Sequence, residues 1–180
     1  MQGLTRMATL GRSPAWRRFL VHGSIVAAAM SLGLTSWFIA KPLSTRLHET
    51  EPGQRITVTA TPNIDISLDA DSSITVSNTA PPRIELLRGN AYFDVRGDGP
   101  GKLQLKVGTT YIRDTGTRFS VSKSSTGGSV AVASGEVEVQ VEMGTYLVGA
   151  RETANFDGVR VTGQRVISDS AIAPWRQQGV

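Results

Sequence analysis

The chain contains no cysteine among its 180 residues, which excludes disulfides and thiolate metal sites outright. Histidine is almost missing as well. His22 and His48 are the only two, so everything from Arg55 onward lacks the commonest general base and zinc ligand. Aromatic residues make up 6% of the chain, and among so few, Tyr92, Phe93 and Phe119 are the expected anchors of a core. No acidic residue occurs before Glu49.

That last absence locates the charge. The net charge is +4, which by itself suggests a nucleic-acid partner. Arg6, Arg12, Arg17 and Arg18 supply all of it, because from Lys41 onward 15 basic residues face 15 acidic ones. A globular part without net charge does not favour a phosphate backbone, so no direct nucleic-acid partner is expected.

Charged residues are also missing from Phe19 to Ala40, where FLVHGSIVAAAMSLGLTSWFIA holds no Asp, Glu, Lys or Arg. At about 1.5 Å rise per residue this is roughly 33 Å of helix, enough to cross a hydrocarbon core of about 30 Å. Trp16 and Trp37 lie near its ends, where indoles favour the lipid–water interface. Arg17 and Arg18 precede it and Lys41 follows, which places the N-terminus in the cytoplasm and the remainder outside. A cleaved signal peptide is the alternative reading. The apolar run exceeds the usual core of about 7–15 residues, and no A-x-A-like site precedes Lys41. Trp16-Arg17-Arg18-Phe19-Leu20 resembles a twin-arginine export signal with imperfect spacing. Either way, the later residues are exported. Gly23, Ala27 and Ser31 at four-residue spacing would let two such helices pack, a route to self-association.

Beyond Pro52-Gly53 the dominant pattern is period-two alternation, the mark of half-buried strands. Ile64, Ile66 and Leu68 alternate with Asp65, Ser67 and Asp69; Leu103, Leu105 and Val107 with Gln104 and Lys106; Val137, Val139 and Val141 with Glu138 and Gln140. Turn residues recur at short intervals, among them Thr61-Pro62-Asn63, Gly89-Asn90, Gly97 to Gly101 and Gly127-Gly128. Ten to twelve strands are expected, forming an all-β domain in which sandwich, barrel and solenoid all remain open. Ala171 to Gln178 reads as a short helical turn.

Catalytic and cofactor motifs are absent. Gly97-Asp98-Gly99-Pro100-Gly101-Lys102 fails the phosphate-loop spacing and reads as a turn. Asp69-Ala70-Asp71-Ser72-Ser73 starts like a calcium loop but lacks the later glycine and acidic residue. No nucleophile elbow occurs. The expectation is no enzyme, no cofactor and no metal.

Six ordered blocks carry a family resemblance. They are Gly53 to Val58, Ser67 to Ile74, Arg83 to Val95, Val107 to Val121, Val130 to Val139, and Val148 to Glu152. Singly each is a generic strand and turn; as an ordered set they resemble the FecR family. In this reading Gly89 joins two strands, and Ser134-Gly135 plays the same turning role.

The resemblance implies a twisted, solenoid-like or sandwich-like antiparallel β domain, followed in the family by a small α/β domain. It implies a bacterial inner-membrane protein with its β domain in the periplasm. Such proteins sense the signalling domain of an outer-membrane TonB-dependent receptor for iron siderophores and control an extracytoplasmic-function sigma factor. Some members cleave themselves at a Gly-Thr bond matching Gly116-Thr117. There the threonine hydroxyl attacks the preceding carbonyl to give an ester that water hydrolyses; the plainer reading is a tight turn. The expected organisation is a basic arm over 1–18, a membrane helix over 19–40, a tether over 41–53, the β domain over 54–167 and a junction over 168–180. The arm is far shorter than the family's sigma-binding domain. The chain also ends where the small domain begins, as a fragment or a reduced form would. The competing expectation is a membrane-anchored periplasmic scaffold that binds a protein or a cell-wall glycan.

Overall fold

The computed structural model describes residues 44–97, 103–114 and 116–177. The basic arm, the helix expected over 19–40 and its flanking Trp16, Arg17, Arg18, Trp37 and Lys41 lie outside the described residues. No helix among the described residues is long and apolar enough to cross a membrane.

The described residues are all-β, with thirteen strands. These are β1 (Thr45–Glu49), β2 (Ile56–Thr61), β3 (Ile64–Leu68), β4 (Ser73–Ser77), β5 (Arg83–Val95), β6 (Leu103–Val107) and β7 (Thr110–Asp114). Then come β8 (Arg118–Ser124), β9 (Gly127–Ser134), β10 (Glu136–Val141), β11 (Gly144–Gly149), β12 (Glu152–Phe156) and β13 (Val161–Val166). Two 3-10 turns, Asp169–Ala171 and Pro174–Arg176, follow.

Hairpins alternate between two ladders. One runs β1-β4-β5-β6-β7-β10-β11 and the other β2-β3-β5-β8-β9-β12-β13. Strand β5 belongs to both, so the two form one continuous sheet folded into a nearly closed barrel-like shape. Arg83 to Leu86 pair with β6, and Gly89 to Asp94 pair with β8. The block read as two strands around Gly89 is thus one strand of 13 residues that changes ladder there. Gly89 has φ +80°, and a side chain at that position would meet Asp71 O at 2.7 Å, so only glycine fits both the backbone and the space.

The expected antiparallel pairing holds except between β5 and β6, which run parallel. Sheet structure also begins earlier than the alternation suggests. Strand β1 lies inside the segment read as a tether and pairs with β4 from Thr45↔Ser77 to Glu49↔Ser73. As an edge strand it is mostly exposed, and an exposed edge has no need of alternating apolar residues.

Alternation does place the core. Ile64, Ile66 and Leu68 from β3, Leu103, Leu105 and Val107 from β6, and Val137, Val139 and Val141 from β10 join one buried cluster. At its centre Phe93 and Phe119 are fully buried and stacked, with ring centroids 4.9 Å apart. The edge strands β11 and β13 are tied to each other. Gln164 Nε2 of β13 donates to Leu147 O of β11 at 3.1 Å and to Glu152 Oε2 of β12 at 3.0 Å, while Met143 N in the β10–β11 turn donates to Val159 O in the β12–β13 turn at 2.8 Å.

Candidate functional site

The Gly116-Thr117 bond lies where the chain leaves β7 in one ladder to enter β8 in the other. Gly116 has φ +133°, and a side chain there would run into the carbonyl oxygen of Gly97. Its N–H donates to Asp114 Oδ2 at 3.2 Å, and Asp114 is itself buried. Thr117 is 1% exposed. Its hydroxyl donates to the carbonyl oxygen of Glu136 at 3.0 Å, and its own carbonyl accepts from Val95 N at 3.0 Å. A side chain at Gly135 would crowd the same hydroxyl at 3.0 Å.

Three segments distant in sequence therefore meet at Thr117: the end of β5, the β7–β8 crossing and the start of β10. Chemically the pair combines a backbone conformation that glycine adopts most readily with a water-excluded hydroxyl. The hydroxyl proton is already committed to the Glu136 carbonyl, which makes this a tie between ladders. The sequence singled out Gly116 and Thr117 but gave no hint of Glu136 or Val95, because neither is near in the chain.

The outer face of the first ladder carries a groove of about 600 Å³ lined by Thr45, Thr75, Ser77, Arg83, Glu85, Gln104, Lys106 and Tyr111. The cross-strand register sets Thr75 beside Glu85, Glu85 beside Lys106 and Lys106 beside Tyr111. Lys106 Nζ and Glu85 Oε1 pair at 3.0 Å. That hydrogen bond and the carboxylate charge raise the Lys106 pKa above its ordinary value, so the ammonium stays charged. Among the described residues no three His, Asp or Glu side chains converge to hold a metal ion.

The tail after β13, expected as a junction, packs on the sheet. Ile172 and Ala173 are buried against Tyr92 on the outer face of the second ladder. Arg176 Cζ lies 3.7 Å from the centre of the Tyr92 ring, and Arg55 Cζ lies 5.8 Å from that of Trp175.

The fold is similar to that of two crystal structures of a "putative anti-sigma factor" from Parabacteroides distasonis ATCC 8503. The first, at 2.50 Å, is similar with a TM-score of 0.66 and 17% identity over 76% of this chain and 67% of that one. The second, at 1.65 Å, gives a TM-score of 0.64 and 18% identity over 75% of this chain and 66% of that one. The chain thus spans about two thirds of the length of each. No curated protein matches it. The family model described as FecR protein matches residues 46–138, more than half of the chain. The chain belongs to the FecR family.

Proposed function

We propose that this protein is a FecR-type regulator of an extracytoplasmic-function sigma factor, acting by binding and not by turnover. A helix over 19–40 anchors it in the bacterial inner membrane. Arg17 and Arg18 lie on the cytoplasmic side, and the β domain lies in the periplasm. There it receives the signal of an outer-membrane TonB-dependent siderophore receptor. The observation that carries the reading is the family match over 46–138; a fold shared with anti-sigma-type structures supports it. Within this reading Gly116-Thr117 serves as a buried tie, a role supported by the engaged Thr117 hydroxyl.

One observation favours a second reading, a membrane-anchored scaffold for a cell-wall glycan. The groove on the first ladder combines hydroxyls, a planar amide at Gln104 and the half-exposed ring of Tyr111, a set of polar and aromatic groups suited to a small polar ligand. Affinity capture of the full chain from solubilised envelopes of iron-starved cells separates the two. Recovery of an outer-membrane receptor supports the regulator; recovery of glycan fragments without a receptor supports the scaffold.

A further inference from the structure

The tail over 167–177 does more than cover Tyr92. Between it and the second ladder lies a pocket of about 320 Å³ whose lining includes three arginines, Arg118, Arg151 and Arg176. Arg118 comes from the start of β8, Arg151 from the turn between β11 and β12, and Arg176 from the tail. The only carboxylate lining this pocket is Asp169, and it is engaged by Arg151 at 3.2 Å and 3.4 Å.

Among the described residues the other two cations make no ion pair with a carboxylate. Arg118 Nε donates to Ser134 Oγ at 3.0 Å, and Arg176 stacks on Tyr92. Asp94 faces Arg118 across the β5–β8 register yet makes no ion pair with it. Two arginines without an ion pair among the described residues, one from the sheet and one from the tail, line this pocket, an arrangement with a definite complement. Arginine forks match the oxygens of phosphate in paired hydrogen bonds, and a phosphomonoester carries about −1.5 to −2 charge at pH 7. A single carboxylate would offset only one of the two.

We propose that this pocket binds a phosphomonoester group, borne by a small soluble ester or by a lipid headgroup. Because Arg118 is fixed on the sheet and Arg176 on the tail, the bound group would bridge them and hold the tail down. Residues 167–177 would then report occupancy of the site. The inference stands apart from the sigma-regulator reading, since it rests on the charge and shape of this pocket alone.

The test is hydrogen exchange on the full chain in non-denaturing detergent, with inorganic phosphate against chloride at equal ionic strength. Phosphate is expected to slow exchange of residues 167–177 several-fold where chloride does not. Arg118→Gln and Arg176→Gln should each weaken the response about tenfold, as loss of a charge-assisted contact does. Arg113→Gln, on the opposite ladder, should leave it intact. Replacing phosphate with short-chain phosphatidic acid or with glycerol phosphate in the same exchange measurement assigns the source. Stronger protection by the former points to a headgroup, and equal or stronger protection by the latter points to a soluble ester. Equal protection by chloride overturns the proposal. So does an unchanged response in the Arg118 and Arg176 variants while exchange in β5 and β8 shows them folded.

Discussion

The hydroxyl of Thr117 donates to the carbonyl oxygen of Glu136 at 3.0 Å, joining the entry of β8 in one ladder to the first residue of β10 in the other. Both partners are drawn into the fold by crossings of the chain between ladders, and the donor is almost fully buried. An unmade hydrogen bond at such a place costs more than the bond contributes when present.

Thr117→Val keeps the shape and removes the donor. Urea unfolding should show a loss of about 1–3 kcal/mol, the penalty of leaving a buried acceptor unsatisfied, with Thr117→Ser recovering most of it. As a buried tie, the bond stays whole: a chain tagged at both ends should run as a single full-length band after export. Two fragments meeting at Gly116-Thr117 would show instead that the bond is cleaved.

Phe93 and Phe119 stack at the centre of the core and come from adjacent strands in direct register. Phe119→Ala should cost about 3–5 kcal/mol, the transfer and cavity terms together. Phe119→Leu should cost clearly less. The measurement is the unfolding midpoint in urea at unchanged slope.

The seam between β11 and β13 should loosen in acid. Asp157 is held below its ordinary value chiefly by the backbone N–H of Arg160 and then by that of Val159. Glu152 is held below its own by the N–H of Gly149 and the amide of Gln164. A carboxyl with a depressed native pKa stabilises the fold above its unfolded value and loses that contribution as pH falls through the native one. The stabilisation is therefore complete above about pH 4.5, the higher of the two ordinary values, and fades below it. Amide protection at Gly149, Val159 and Arg160 should fall in that range, and the Phe93 core should not follow until lower pH. Loss of both together would contradict a local seam.

The proposed membrane topology predicts an asymmetric protease result. Opening the outer membrane alone should expose the β domain to added protease, with exposed Met143 at the β10–β11 tip among the reachable sites. Digestion only after the inner membrane is lysed would place the domain on the wrong side.

Much of this fold is legible in the sequence because burial on one sheet face imposes period two. Ile64-Ile66-Leu68 and Val137-Val139-Val141 could be assigned strand and face from their spacing alone. Strand β1 could not, since an exposed edge strand carries no such period. Gly89 was legible as a special backbone position but not as a point inside one long strand, because a turn and a change of ladder demand the same residue. The candidate sites show the same limit. Gly116 and Thr117 are adjacent and stand out together, whereas Glu136 and Val95 reach them only through folding. Arg118, Arg151 and Arg176 come from three separate segments with no local pattern, so their place around one pocket is visible only in three dimensions.

Regulation of a sigma factor is read out in a transcript profile of a deletion strain, with and without iron starvation. A narrow set of genes should shift, led by an operon for an outer-membrane receptor, and the full chain supplied in trans should restore it. An unchanged profile under both conditions would contradict the regulator and leave the periplasmic scaffold as the better description.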